Sequence, residues 1–138
     1  MRGVVTIWKD ISLNSHNRNE FIDISPQIAA VVEKSGIENG FCTIFVPHTT
    51  AGVTINENTD PNVIRDMLLT FNRLVPKLAE FKHTEGNSDA HIKASLVGFS
   101  CTIPVISGHL HMGTWQGIYF CEFDGPRNRK VKVNIYGE

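Results

Sequence analysis

Three histidines stand in two polar segments of this sequence, "HTTAGVTINENTD" (48–60) and "HTEGNSDAHIK" (83–93). Neutral imidazole nitrogens bind zinc-like ions, and a nearby carboxylate orients the imidazole or completes the coordination shell. We therefore predict a divalent metal site formed by His48, His83 and His91. Their spacing builds no HxxxH or HxH motif, so the fold must bring them together. The alternative is that each is a capping or surface histidine.

A glycine-rich segment further along the chain offers groups for ligand binding. In "GTWQGIYF", Trp115 presents a flat stacking surface and Gln116 a side chain that both donates and accepts hydrogen bonds. A core tryptophan at the start of a strand is the alternative. Arg127 and Arg129 follow the turn "DGP", where their guanidinium groups could bind a phosphate or simply face solvent at a hairpin tip.

The segment "GHLHMG" is a rival metal motif. His109 and His111 are two residues apart, so on a strand they would face the same side and could chelate one ion. We favour a solvent-facing pair on a strand beside a glycine turn.

Composition limits the class of protein. The chain has 138 residues, a formal net charge of −1, 41% apolar residues and 20% charged residues, which is typical of one globular domain spanning 1–138. A charge so close to neutral argues against nucleic acid or a membrane surface as partner, because the longest basic run has only "RNRK". The first residues lack an apolar leader segment, and long apolar runs are absent, so we expect a cytoplasmic protein.

The three cysteines do not suggest a disulfide framework. Cys42, Cys101 and Cys121 are odd in number, far apart and set in apolar, strand-like runs. We expect buried free thiols.

Two helices are indicated by their ends and by their apolar spacing. In "SPQIAAVVEKSG", Ser25 is the expected N-cap and Gly36 the expected left-handed residue at the C-terminus. In "DPNVIRDMLLTFNRLVP", Asp60 is the expected cap, and Pro76 stops the helix. Ser88 or Asp89 could cap a third, short helix that runs to Gly98.

The rest of the chain is predicted to be mostly β. Short runs rich in β-branched and aromatic residues, such as "FCTIFV", "SCTIPVI" and "KVKVNIY", are bounded by Gly, Pro or Asn. A regular alternation of strand and helix is absent, so a parallel sheet is disfavoured. We predict an α+β domain with helices packed on one side of a largely antiparallel sheet.

Taken together, three blocks make the sequence specific. "HTTAGVTINENTDPNVIRDM", "HTEGNSDAHIKASLVG" and "SCTIPVISGHLHMGTWQGIYFCEF" resemble, in order and spacing, the signature blocks of the YjbQ-like family, also called the secondary thiamine-phosphate synthase family. The resemblance covers essentially the whole chain. It implies a compact α+β fold, a homotrimer and a histidine-containing pocket near a subunit boundary.

The resemblance also implies site residues. It selects as family positions His48, His83, His91, Glu57, Asn58, Asp60, Glu85, Lys93, Trp115 and Gln116. Relatives often carry an acidic "DDMP" insertion before the histidine matching His91. Here "NSDA" stands in that place, so Asp89 is the one carboxylate left there.

The activity implied by the family name joins hydroxymethylpyrimidine diphosphate to thiazole phosphate and releases pyrophosphate. Lys93, Arg127 and a divalent ion would neutralise the pyrophosphate, and Trp115 would hold the pyrimidine. Three histidines favour a zinc-like ion, whereas pyrophosphate usually prefers magnesium, which is the alternative cofactor.

Two other functions fit the same residues. The first is a metal-dependent hydrolase of a small phosphorylated or heterocyclic substrate, with Glu57 or Glu85 as general base. The second is a trimeric binding module for a metal or small ligand that catalyses no reaction.

Overall fold

The computed structural model describes residues 3–138, which form one α+β domain in which three helices pack with antiparallel strands, as expected. The elements in chain order are β1 (Val5–Asn14), β2 (Glu20–Asp23), α1 (Ser25–Ser35), β3 (Gly40–Phe45), β4 (Ala51–Glu57), α2 (Pro61–Leu74), α3 (Ser88–Val97), β5 (Ser100–Ile106), β6 (His109–Leu110), β7 (Gln116–Glu122) and β8 (Asn128–Gly137). Of the helices in this described part, none is long and apolar enough to cross a membrane.

The strands are divided between two antiparallel sheets. The five-stranded sheet A has the order β1-β8-β3-β5-β6, and the three-stranded sheet B has the order β2-β7-β4. The short strand β2 was not expected from the sequence, because four residues are too few to show a clear alternation. Strand β6 lies in "GHLHMG", where a strand beside a glycine turn was expected.

The hydrophobic core lies on both sides of sheet B. One cluster fills the space between sheet A, α1 and one face of sheet B, with Ile28, Phe120 and Val133 among its buried members. The second joins the other face of sheet B to α2 and α3 through Phe21 and Phe123. Strand β7 is therefore buried on both faces, and it forms the central element of the domain.

The helix ends agree only partly with the sequence expectations. Asp60 caps α2 by accepting a hydrogen bond from the backbone N–H of Asn62, and Gly36 ends α1 in the left-handed conformation, as predicted. Ser25 is not the N-cap of α1, because the helix already begins at that residue and its hydroxyl accepts a hydrogen bond from Ile118 N. Asn87, not Ser88 or Asp89, precedes α3.

The cysteines are free thiols, as expected. Cys42 and Cys121 are buried and Cys101 is half-buried. Burial raises the pKa of Cys42 to about 12 and that of Cys101 to about 11, so these thiols are unreactive at neutral pH.

The outer face of sheet A carries large exposed aromatic side chains. Trp8 on β1 is 66% exposed, Phe41 on β3 is 54% exposed, and Tyr136 on β8 is 53% exposed. Phe41 pairs with Tyr136, and Trp8 pairs with Asn134 two residues before it, so the three rings lie near one another on one face. We call this surface, with the neighbouring Phe45, the aromatic face.

Phe120 tests the central position of β7. The Phe120→Ala variant removes a fully buried ring from the main cluster and should lower the free energy of unfolding by about 3 to 5 kcal/mol. Chemical denaturation at fixed protein concentration measures this loss. Gln27→Ala, at an exposed position of α1, is the control and should change stability by less than about 0.5 kcal/mol. A small effect of Phe120→Ala would mean that β7 is not the centre of the core.

Candidate active site

His83 and His91, two of the three histidines of the predicted metal site, lie next to each other. Their ring centroids are 5.4 Å apart and the rings are nearly perpendicular. His91 is in the first turns of α3, and His83 lies in the segment that leads into that helix. Both line a hollow of about 450 Å³ with Phe81, Ser88 and Ile92.

The histidine pair fits half of a metal site. Two imidazoles that share a zinc ion have centroids roughly 5 Å apart, because each nitrogen lies about 2.0 to 2.1 Å from the ion in tetrahedral geometry. Among residues 3–138 of one chain, however, His, Cys, Asp and Glu side chains form no group of three that could hold an ion. The pair would therefore need further ligands from water or from another chain.

His48 is in a different environment. Its Nε2 accepts a hydrogen bond of 3.0 Å from the backbone N–H of Lys130. Strand β8 continues beyond its last pairing with β3, Phe45 with Lys132, and His48 satisfies a backbone group that β3 no longer reaches. A neutral imidazole has one nitrogen lone pair, so His48 must carry its proton on Nδ1. Metal coordination by Nε2 would require the bond to Lys130 to break.

The charge state of His48 follows from the same surroundings. Partial burial lowers its pKa, and the positive charge of Arg129 lowers it further. His48 is therefore neutral at pH 7 and acts as a hydrogen-bond donor through Nδ1.

A buried ion pair that the sequence analysis missed lies beside His48. Arg129 donates hydrogen bonds to Glu122 from Nε and Nη2, and the same Nη2 donates to the hydroxyl of Thr50. Glu122 is fully buried and also accepts from the hydroxyl of Ser15 at 2.6 Å and from two backbone N–H groups. Sheet B and sheet A are thus joined by charges as well as by apolar contacts.

The sequence contained a signal for this pair. In β8, Arg129 has the same parity as Val131, Val133 and Ile135, so it must point toward the core. Glu122 likewise follows a run of buried positions in β7. A charge on a core-facing position requires a partner, so the two residues could have been matched from parity alone.

The environment of Lys93 differs from the prediction. Lys93 is 1% exposed, and its ammonium donates to Asn72 at 2.6 Å and to Asn19 at 3.3 Å. Burial lowers the pKa of Lys93, while Asp89 at 3.8 Å opposes that shift. The ammonium holds α3 in place and does not reach a solvent-facing ligand.

Asp89 is also used inside the protein. It receives two hydrogen bonds from Arg18, at 2.9 and 3.0 Å. Burial by itself raises the pKa of Asp89, but the hydrogen bonds and charge of Arg18 bring it below its ordinary value. This carboxylate therefore positions α3, and with it His91, and is not aimed at the histidine hollow.

The predicted ligand-binding residues form a separate group at the other end of β7. Glu57 pairs with Gln116, and the backbone N–H of Asn58 donates to the carbonyl of Trp115. The indole of Trp115 is 60% exposed. Gln116 turns back so that its Oε1 accepts from Gly113 N, which closes the tight turn before β7.

Register separates this group from the histidines. Glu57 lies opposite Gln116, whereas Ala51 lies opposite Glu122, six positions further along. At about 3.4 Å per residue the two ends of the β4–β7 ladder are roughly 20 Å apart. Asn87 donates to Asp124 just beyond β7, which fixes the start of α3 at the Glu122 end. Within one chain, a small substrate could not touch both groups.

The remaining candidates are on the surface. Arg127 is half-exposed and donates hydrogen bonds to the carbonyl and the carboxylate of Asp124, so these donors of its guanidinium are already bonded within the protein.

Glu85 is exposed in the turn next to His83. His109 faces solvent at 3.6 Å from Glu33, and His111 is also exposed, in agreement with the interpretation of "GHLHMG" as a surface pair.

Sequence comparison identifies the family. A family model described as "UPF0047 protein YjbQ-like" matches residues 9–138. The chain is 51% identical over 135 residues to UPF0047 protein MJ1081 of Methanocaldococcus jannaschii, covering 98% of each. It is 48% identical over 130 residues to UPF0047 protein YugU of Bacillus subtilis, covering 94% of this chain and 98% of YugU.

Solved structures agree with the sequence comparison. An uncharacterised protein of the YjbQ/UPF0047 family from Clostridium acetobutylicum is 54% identical, with a TM-score of 0.90 over 92% of this chain and 98% of that one. A YbjQ-like protein from Sulfolobus solfataricus is 37% identical, with a TM-score of 0.94 over 99% of this chain and 100% of that one. The chain belongs to the YjbQ-like family, which confirms the resemblance found in its three sequence blocks.

The buried ion pair yields a stability prediction. Glu122→Gln leaves the Arg129 guanidinium buried without its counter-charge and should lower the free energy of unfolding by about 3 to 5 kcal/mol. Chemical denaturation measures the change. Glu80→Gln, which removes an exposed carboxylate, is the matched control and should have almost no effect.

The same variant should change the pH dependence of stability. Burial by itself raises the pKa of Glu122, but hydrogen bonds from Arg129 and Ser15 bring it below its ordinary value. The unfolded chain then binds the proton more readily, so the stabilisation is present above the ordinary pKa and is lost as pH falls through the lowered one. Between about pH 3 and pH 7, Glu122→Gln should lose less stability on acidification than the unmodified protein. Equal losses would contradict this role for Glu122.

Proposed function

We propose that this protein is a homotrimeric enzyme that binds a divalent, zinc-like ion and joins hydroxymethylpyrimidine diphosphate to thiazole phosphate, releasing pyrophosphate. The observation that carries the proposal is the His83–His91 pair, whose 5.4 Å separation suits two ligands of one ion. Family membership supports the choice of reaction, because the family's alternative name refers to it.

His83 and His91 are the residues that would hold the ion. Asp89 and Lys93 are committed to Arg18 and to two asparagines, so they keep the pair in position and supply no ligand. A bound ion would supply positive charge to stabilise the departing pyrophosphate. The preference of this histidine pair is for zinc over magnesium, since magnesium selects oxygen ligands.

The aromatic face supports the assembly. Monomeric proteins rarely expose several large aromatic side chains side by side, and Trp8, Phe41, Phe45 and Tyr136 do so on a sheet that no described helix covers from this side. Burying this face against neighbouring copies would remove apolar area from water, the main driving force of association. We infer that it forms the contact between subunits of the trimer.

A site shared between subunits would bring together the two groups that lie at opposite ends of β7 within one chain. Trp115 and Asn58 lie about 20 Å from the end of β7 where the histidines lie, which is too far for one small substrate. In a trimer, the Trp115 end of one chain can meet the histidine end of the next. We propose that the active site is formed at this boundary.

In the proposed reaction, the bond between the hydroxymethyl carbon and the pyrophosphate oxygen breaks, and a new carbon–nitrogen bond forms to the thiazole ring. Trp115 would stack on the pyrimidine, and Asn58 would hydrogen-bond to it. The protein must exclude water from the cationic carbon, which a subunit boundary does more completely than an open surface. The thiazole nitrogen reacts through its lone pair and loses no proton, so Glu57 and Glu85 would act as general bases only in the hydrolase alternative.

Metal content tests the first part of the proposal. The untagged protein should hold about one zinc-like ion per chain by elemental analysis. His83→Ala or His91→Ala should weaken binding of the ion by about tenfold or more. His111→Ala is the control, because His111 is an exposed histidine outside the pair. His48→Ala should keep most of the metal, since the lone pair of His48 is used by Lys130. A protein that takes up no ion would overturn the metal site.

Product formation tests the reaction and the sharing of the site. The metal-loaded protein should form thiamine phosphate from the two substrates, and Trp115→Ala and His91→Ala homotrimers should each lose most of this activity. Trimers assembled from both variants should regain part of it, because some boundaries then combine an intact Trp115 with an intact His91. No recovery would overturn the proposal that Trp115 and His91 of different subunits form one site.

The same assay separates the hydrolase alternative. Release of phosphate from hydroxymethylpyrimidine diphosphate at the same rate without thiazole phosphate would identify a hydrolase, with water as acceptor. Bound metal without any turnover on either test would identify a binding module.

A further inference from the structure

A second polar hollow lies beside His48, at the end of β1 and the start of β8. It has a volume of about 510 Å³ and is lined by Ser12, Leu13, Asn14, His48, Asn128, Arg129 and Lys130. The lining contains no carboxylate. The size falls within the range of small-molecule sites, which are typically about 300 to 1,000 Å³.

His48 contributes an N–H donor to this hollow. Because Nε2 accepts the backbone N–H of Lys130, the proton of the neutral ring is on Nδ1. Among the residues that the structure describes, Nδ1 has no hydrogen-bond partner. It is therefore available to an acceptor on a ligand.

Lys130 contributes a second donor from the outer face of sheet A. Ser12, Asn14, Asn128 and Lys130 have one strand parity, so their side chains stand on that face beside the hollow. Arg129 has the opposite parity and points toward the core, where Glu122 and Thr50 hold its guanidinium. Arg129 therefore supplies no side-chain donor on this face.

The net charge of the hollow is positive. Glu122 balances Arg129, but Lys130 has no ion-pair partner in the described part of the chain, whereas the next lysine on the same face, Lys132, is paired with Asp10 at 3.2 Å. The hollow is thus lined by Lys130, which carries an ammonium group, and by His48, which carries an imidazole N–H, with no carboxylate among the lining residues. Ser12 and two asparagines can add further donors.

We infer that this hollow binds the phosphate group of a small phosphorylated molecule. A tetrahedral phosphate has several oxygens that accept hydrogen bonds from separate directions, which matches donors from several side chains and the absence of a carboxylate from the lining. A metal ion is a poor match, because the His48 lone pair is occupied. A free volume larger than a phosphate leaves room for the organic part of the ligand.

This inference rests on the proposed function only in taking the phosphate to be part of a substrate. Phosphate binding itself is a separate property, since His48 and Lys130 are not in the His83–His91 hollow. The hollow also joins the subunit contact proposed above, because Ser12, Asn14 and Lys130 have the same strand parity as Trp8 and Tyr136.

Binding of inorganic phosphate to the full-length protein, measured by titration calorimetry at constant ionic strength, tests the inference. Lys130→Gln should weaken binding about tenfold or more, because a charged hydrogen-bond donor is lost. Lys132→Gln is the matched control, with the same charge change on the same strand and face, and should weaken binding less than about twofold. His48→Gln should also weaken binding, and phosphate should shift the NMR signal of the His48 Nδ1–H group.

Repeating the titration after removal of metal by a chelator separates this site from the metal site. Phosphate binding that survives metal removal and depends on Lys130 supports the inference even if the metal site or the proposed reaction fails. Absence of phosphate binding would overturn it, as would equal losses in Lys130→Gln and Lys132→Gln, which would indicate general charge attraction. If phosphate binding is lost on metal removal and is unchanged in Lys130→Gln, the phosphate binds at the histidine pair instead.

Discussion

The buried ion pair between Glu122 and Arg129 is the constraint on which this end of the molecule depends. It joins the central strand of sheet B to β8 of sheet A in a region from which water is excluded. Removing two charges from water is unfavourable unless every acceptor and donor is satisfied. Ser15, Thr50 and the backbone after β7 supply those partners, so several segments distant in sequence must meet at one point.

Two polar networks in the interior hold surface groups in place. The Glu122–Arg129 pair fixes the start of β8, where the backbone N–H of Lys130 is bonded to His48, and the contact between Arg18 and Asp89 fixes the start of α3, where His91 is located. In both cases, buried charges do not themselves face a ligand. Their role is to restrict the motion of the neighbouring groups that face a ligand, which lowers the conformational entropy lost when the ligand binds.

The proposed assembly rests on where the polar and apolar groups of one chain lie. The ladder between β4 and β7 holds Trp115 and Glu122 at opposite ends, and the aromatic face leaves a large apolar area in water. Both features have the same physical solution, since a neighbouring copy would cover the apolar face and bring the two ends of different chains together. The phosphate site proposed beside His48 lies at the edge of that face.

The sequence by itself determined the fold class, the main helices and strands, the family and the polar segments that carry the histidines. These properties follow from local periodicity, capping residues and motif spacing, which short segments carry on their own. Tertiary structure decided which polar groups remain available. His91 and Lys93 are two residues apart, yet about 200° around the helix separates them, so one faces a hollow and the other is buried. His48 does not join the histidine pair. Strand β8 extends beyond its pairing with β3, and the unpaired backbone N–H of Lys130 donates its hydrogen bond to His48. Pairing between strands that are distant in sequence set this requirement.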